Sequence, residues 1–293
     1  MRRGRRRTTT AQPGKQPRAR TQGAAPLGRV IAVTSGKGGV GKTGIAVNLA
    51  VTLAERGNRV VLLDGDLGLG NVDIMVGLTP SHSLDHVLHE SRPLSEVVVE
   101  GPAGVRIIPA GSGIGRLSQL GEEGQRALLD QVADLSDRPD YLVVDTGSGI
   151  GENVLFLASC AQEVLVVTTP EPTSVTDAYA LMKILSRARG VRRFRLVVNM
   201  ASDESAALEI YHRLSLVADR FLGVGIDLAG FIPPDRAVSE AICHRNGVLK
   251  AGRAARALER LADTVSGWKS GTSSRGGVQI LGNHLAEQGD PIP

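Results

Sequence analysis

The sequence predicts an α/β fold, doubly wound around a mainly parallel sheet with helices on both faces. Short β-branched runs alternate along the chain with longer helical patterns, and most of those runs are apolar at consecutive positions. Consecutive apolar residues suit a strand covered on both faces, and the alternation suits crossover connections between parallel neighbours. Such a sheet binds its ligands at the carboxyl ends of the strands. The composition agrees, since 293 residues with 42% hydrophobic and 22% charged can bury one large α/β core or two small domains.

In chain order, the first strand covers 30–34 and runs into a glycine-rich stretch. The second, 59–64, is apolar up to Asp64; the third is 105–109, and the fourth, 141–145, ends in a single aspartate. Strands at 163–168, 195–199 and 227–232 complete the set, the last two ending at Asn199 and beside Pro233-Pro234. Between them 43–56, 121–135, 174–189, 203–221 and 235–243 read as helices, and no internal repeat is found.

No stretch reaches the roughly 18 uninterrupted apolar residues of a membrane-spanning helix. The N-terminus carries basic residues without the apolar run of a signal peptide, so a cytoplasmic protein is expected. Cys160 and Cys243 sit in apolar or helical stretches and offer neither a disulfide framework nor a zinc set; both read as structural thiols. The net charge of +4 divides unevenly: residues 1–28 hold eight basic residues and no acid, while the rest holds 26 basic against 30 acidic. Poor in large apolar residues, 1–28 reads as a disordered basic tail. It is either a polycation for nucleic acid or anionic lipid, or a solvated extension. After Trp268 the run SGTSSRGG reads as a linker, so 269–293 is a second, flexible tail and 29–268 the folded domain.

Directly after the first strand comes Ser35-Gly36-Lys37-Gly38-Gly39-Val40-Gly41-Lys42-Thr43, then a helical pattern. This fits G-x-x-x-x-G-K-[ST]: backbone N–H groups curl around phosphates, Lys42 reaches the β and γ oxygens, and Thr43 ligates Mg²⁺. A dinucleotide fingerprint would need neither the lysine nor the threonine. The second strand ends in Asp64-Gly65-Asp66 and a glycine-spaced loop, which suits either a segment that moves with a γ-phosphate or two acids capping a turn. Asp145, followed by three spaced glycines, reads as the acid that holds a magnesium-bound water, ahead of a second mobile loop. Asn199 puts an amide at a strand tip, able to pair with a donor and an acceptor on an adenine edge.

The stretch Lys37 to Thr43, with a lysine just after the first glycine, is similar to the deviant phosphate loop of the MinD/ParA ATPases. That resemblance implies an ATPase using ATP and Mg²⁺ that cycles between a monomer and an ATP-bound homodimer. By the same likeness Lys37 reaches across the dimer to the partner's nucleotide, and Asp66 orients the attacking water, making Lys37, Lys42 and Asp66 the catalytic set. Asp64 supports the magnesium shell with Thr43 and Asp145, and Gly36 to Gly44 wrap the nucleotide. Asn199 and Pro233 line the adenine, and Glu152 contacts the partner's nucleotide unless it is a plain surface acid. Gly44 departs from the family, many members of which place a second Thr or Ser there to bond the α-phosphate.

Within the family, Asp66-Leu67-Gly68-Leu69-Gly70-Asn71-Val72-Asp73, Asp145-Thr146-Gly147-Ser148-Gly149-Ile150, Pro170-Glu171-Pro172-Thr173-Ser174 and Val198-Asn199-Met200 resemble the FlhG type of flagellar-number regulator more than cell-division MinD. This implies control of the number or placement of flagella. The implied partners are an FlhF-type GTPase, a flagellar basal-body component or a transcription factor, met in the cytoplasm or at the inner face of the membrane or cell pole. The Asp-Gln-Ala-containing motif that stimulates the GTPase in that type does not occur in residues 1–28. A ParA-like DNA-partition ATPase and a MinD-like division-site ATPase are the alternatives. A metal-cluster carrier would want paired cysteines. A tyrosine kinase of this fold would want a tyrosine-rich tail, whereas Tyr141, Tyr179 and Tyr211 lie inside the domain.

Finally, Ala254, Leu258, Leu261, Val265 and Trp268 form one stripe of a helix near 253–268, flanked by Arg253, Arg256 and Arg260. The stripe suits either reversible membrane attachment in the ATP dimer or packing on the core sheet.

Overall fold

The computed structural model describes residues 28–90, 92–111, 120–135 and 138–268. The expectations for the two tails lie outside these residues, except at Gly28. Its N–H donates to the Pro139 carbonyl at 3.1 Å, and a Cβ there would stand 2.1 Å from the Asp140 carbonyl oxygen. Gly28 therefore belongs to the domain and not to the tail.

Strand β1 (Arg29–Ser35) feeds α1 (Lys42–Glu55) and then β2 (Val60–Gly65). Next come α2 (Val72–Met75), α3 (Leu84–His89), β3 (Val99–Glu100), β4 (Arg106–Ile108), α4 (Glu122–Ala133) and β5 (Tyr141–Ser148). The second half runs through α5 (Glu152–Ser159), β6 (Glu163–Thr168), α6 (Pro172–Arg189), β7 (Arg193–Asn199), α7 (Glu204–Leu222) and β8 (Gly225–Ile232). It closes with α8 (Arg236–Cys243) and α9 (Arg253–Gly267). The sheet order is β3-β4-β2-β5-β1-β6-β7-β8, parallel throughout except for β3, which pairs antiparallel with β4 at the edge.

Successive residues of β1 explain the unbroken apolar runs. Ile31 and Val33 join the core under α1 and α9, whereas Val30 and Ala32 enter the cores packed by α3 to α7 on the opposite face. Helix boundaries follow local chemistry: the Asp203 carboxylate accepts the Ala206 N–H at 2.9 Å to start α7, and Gly223, in the left-handed region, ends it. The sequence reading missed α2, α3, β3 and α5. Three are too short to show a period, and in α5 Val154 to Ala158 are all buried, so no polar face marks the helix.

The stripe on α9 resolves toward the core. Ala254, Leu258, Leu261 and Val265 are buried with α1 and β8, about 1.5–3 kcal/mol for each fully buried large side chain. Trp268 lies 4.6 Å beneath the Arg195 guanidinium, which also holds Glu163 and Asp227 at 2.8 Å. Arg29 donates to the Val265 carbonyl at 2.7 Å and to that of Trp268, tying down the helix end. In this structure the stripe takes the core-packing reading, its apolar side chains being covered by α1 and β8. Among the described residues, no helix is long and apolar enough to cross a membrane. The cysteines differ from expectation too. Burial pushes the Cys160 thiol up to about 12, as a structural thiol requires, but Cys243 is exposed at the end of α8.

Candidate nucleotide site

The ends of β1, β2, β5 and β7 converge, and a cavity of about 440 Å³ opens above them. The loop between β1 and α1 forms its floor. Gly39 and Gly41 sit at φ +78° and +85°, and α1 begins at Lys42 immediately afterwards, so its first N–H groups face the cavity. Lys37, Gly38, Gly39, Val40, Gly41, Lys42, Thr43 and Gly44 all line the space, together with Asp66 and Asn199. Gly36 does not. A Cβ on it would stand 2.1 Å from the Asp177 carbonyl oxygen, so this glycine lets the loop pass α6.

Lys42 and the two acids make the electrostatic centre. The Lys42 ammonium is 2.7 Å from Asp145 Oδ1, with both side chains buried. Asp64 is paired with Asp145 across the parallel β2–β5 ladder, so the two carboxylates sit on neighbouring strand tips. Burial, and then the Asp145 charge, raise the Asp64 pKa from 3.8 to about 7, against hydrogen bonds donated by the Val72 and Asp66 N–H groups. Burial also pushes Asp145 upward, partly offset by Lys42 and by a hydrogen bond from the Thr43 hydroxyl. Two desolvated carboxylates beside one ammonium and one hydroxyl are short of positive charge. Together with phosphate and water oxygens they are the donor set of a magnesium ion, and the residues present fit it. Among the described residues no cluster of three or more His, Cys, Asp or Glu suggests another metal.

The raised Asp64 pKa has a measurable consequence. In the nucleotide-free chain the native state holds a proton that the unfolded state releases near 3.8. This contribution to stability is present below about pH 4 and is lost as pH rises through about 7. Asp64→Asn is expected to match the wild type near pH 4 and exceed it at pH 8, by on the order of a few kcal/mol. Urea denaturation at the two pH values checks this, and identical pH dependence in both proteins would refute it.

The remaining residues are placed less simply. Lys37 is turned toward α6, its ammonium 2.5 Å from Glu171 Oε2 and 3.1 Å from Thr173 Oγ1. This pair is half-exposed, so it is worth at most about 1 kcal/mol and is easily released. Glu152 begins α5 outside the cavity and is ion-paired with Arg189 of the same chain. Asn199 lines the cavity, but its Nδ2 donates to the Val40 carbonyl at 2.7 Å and its Oδ1 accepts from Met200 N–H. Its amide braces the phosphate loop, with one of the two Nδ2 hydrogens and one of the two Oδ1 lone pairs engaged. Pro233 lines a separate cleft with Arg253, Arg256 and Arg260. A Cβ on Gly44 would meet nothing within 4 Å, so a side chain would fit there, but glycine offers no hydroxyl and any α-phosphate contact at this position would come from the backbone. Sequence reasoning missed Asn48, Met75, Val238, Ile242 and Leu249, which form the other end of the cavity. Asn48 is a single amide within a helix and the other four are apolar residues spread over three segments, so no local pattern marks a pocket.

The family model described as ParA, NUBPL iron-transfer P-loop NTPase, matches residues 27–263. The chain belongs to the ParA/MinD family of P-loop NTPases. As a family member it is an ATPase that uses ATP and Mg²⁺. The iron-transfer part of that description finds no paired cysteines here. The chain is 44% identical to Antiactivator FleN of Pseudomonas aeruginosa, covering 88% of this chain and 94% of FleN. It is 38% identical to the flagellum site-determining protein YlxH of Helicobacter pylori, over 65% of this chain and 64% of YlxH. The septum site-determining protein MinD of Pyrococcus horikoshii, solved with Mg-ADP, superposes with a TM-score of 0.65. It is 23% identical and is covered over 97% of its length by 82% of this chain, a likeness of fold. The eight-stranded architecture is thus that of the ParA/MinD ATPases, as the resemblance implied.

Proposed function

We propose that this ParA/MinD ATPase is a nucleotide-switched regulator of flagellar number or placement that acts as an ATP-bound homodimer. The observation that carries the dimer is Lys37. Lys42 already serves the chain's own phosphate loop, while Lys37 is held aside by a weak surface pair with Glu171. A charge with no task in its own cavity, at the rim of that cavity, is available to a second copy's phosphates. The near full-length identity with FleN supports the flagellar assignment, and the name antiactivator favours a transcription activator as partner over an FlhF-type GTPase or a basal-body component.

In this reading the N–H groups of Gly38 to Gly44 and the Lys42 ammonium hold the phosphates. Asp66, just beyond β2, accepts a hydrogen bond from the attacking water. Thr43, Asp64 and Asp145 would hold a magnesium ion, which would supply charge neutralisation on the phosphate oxygens. Light scattering is expected to show a monomer without nucleotide and a dimer with ATP, and Lys37→Ala is expected to remain monomeric. A monomer in both conditions would remove the dimer. Counts of flagella in cells lacking the gene test the assignment, and unchanged number and position would refute it.

A further inference from the structure

The apolar end of the cavity is roofed by α8 and by residues 244–252 that follow it. None of the α8 side chains is fully buried, Val238, Ser239 and Ile242 line the cavity, and Val248 is the one large apolar side chain of 244–252 buried in the core, so packing alone does not hold this roof in place. Three polar anchors do. Asp235 accepts the N–H groups of Ala237 at 3.0 Å, Arg253 at 2.7 Å and Ala254 at 3.0 Å, capping α8 and α9 with one carboxylate. Buried Asn48 of α1 donates through Nδ2 to the carbonyls of Gly247 and Gly44, both at 2.8 Å, and accepts the Leu249 N–H at 2.8 Å. The third anchor is Gly247, whose N–H donates to the Met75 carbonyl at 2.8 Å. The backbones approach so closely there that a Cβ on Gly247 would lie 2.3 Å from Met75 Cγ.

Met75 is the last residue of α2, the single turn that follows the Asp66 loop. The first residue of that turn, Val72, donates its N–H to Asp64 Oδ2 at 3.1 Å. One rigid turn therefore joins the carboxylate at the phosphate end to the strap at the apolar end. We propose that residues 244–252 are a base-sensing strap, that Asn48 is its positioning residue, and that α2 links it to the Asp64–Asp66 segment. A nucleoside filling the apolar end would fix the strap, and with it the loop that carries Asp66, whereas bare phosphates would leave both unengaged. The segment that orients water would thus discriminate a nucleotide from free polyphosphate. This rests on the nucleotide reading of the cavity.

The test compares a non-hydrolysable ATP analogue with tripolyphosphate, each with Mg²⁺, on the full chain. Amide hydrogen exchange in 67–76 and 244–252 is expected to slow more with the analogue than with tripolyphosphate. In Asn48→Ala that difference should vanish, and calorimetric affinity for the analogue should fall about tenfold more than that for tripolyphosphate. Gly247→Ala provides a second route: it should lose the same discrimination, and adding Met75→Ala should restore part of it by removing the Cγ that the new methyl meets. Equal protection of 67–76 by both ligands in the wild type would overturn the coupling while leaving the nucleotide site intact. Equal loss of both affinities in Asn48→Ala, with no rescue of Gly247→Ala, would overturn the positioning role. Failure of either ligand to bind the wild type would remove the nucleotide reading and the strap with it.

Discussion

Lys42→Ala is expected to weaken ATP binding at least about tenfold and to destabilise the nucleotide-free chain by about 3–5 kcal/mol near neutral pH. Both effects come from one geometry. The Lys42 ammonium makes the one ion pair of Asp145 among the described residues, at 2.7 Å, where both side chains are almost fully buried. Its removal leaves Asp145 beside Asp64 with no cation to offset either, and a buried unpaired carboxylate costs more than the pair itself contributes. The same ammonium is the group that meets the phosphates, and charge-assisted hydrogen bonds of this kind contribute roughly 1.5–3 kcal/mol each. The two consequences separate in the double variant Lys42→Ala with Asp145→Asn, which should recover part of the stability because position 145 no longer carries a charge, yet should still bind ATP poorly. Chemical denaturation and titration calorimetry read the two quantities, and wild-type ATP affinity in Lys42→Ala would contradict the site.

Asp66→Ala should lower ATP turnover by about 100-fold or more while leaving ATP affinity within a few-fold of wild type, since a positioned general base contributes about 10²–10⁴ to a rate. Asp66 is half-buried at the cavity wall, just beyond β2, and its Oδ1 accepts only a long 3.3 Å hydrogen bond from Leu69 N–H. Its hydrogen bond goes to Leu69 and not to the buried Lys42–Asp145 pair, so the phosphates keep their anchors when it is removed. With hydrolysis slowed and binding kept, the proposed ATP-bound homodimer should outlast that of the wild type. Single-turnover phosphate release beside equilibrium binding decides the matter, and wild-type release in the variant would take Asp66 out of the mechanism.

How far the sequence could be read depended on whether the relevant residues are contiguous. The phosphate loop is a single stretch between a strand and a helix, so its glycines, Lys42 and Thr43 could be placed from spacing alone. The acids at the ends of β2 and β5 were legible for a similar reason: an apolar run ending in a carboxylate at a strand tip is a local pattern. Among the described residues eight β-strands emerged where seven were expected. The eighth is the two-residue edge strand β3, which has too few residues to alternate and owes its existence to pairing with β4.

Pairings between distant segments were beyond that reach. Asn48 binds Gly247 and Leu249 from two hundred residues away, Lys37 finds Glu171 across the mouth of the cavity, and Asn199 reaches back to Val40. An amide or an ammonium in a sequence states only that a partner is needed. Several acceptors satisfy that need, and the sheet order decides which one is close. The α9 stripe makes the same point with apolar groups. Its spacing required a covering surface, which a bilayer or a core could equally supply because the hydrophobic effect is non-directional. Only the packing of α9 against α1 and β8, with Arg29 and Arg195 fastened over its end, selected the core. The sequence by itself thus determined the fold class and the phosphate-binding chemistry, which reside in short-range pattern. The tertiary structure alone decided which surfaces are consumed by packing and which side chains brace the site, because those outcomes depend on distances between segments remote in the chain.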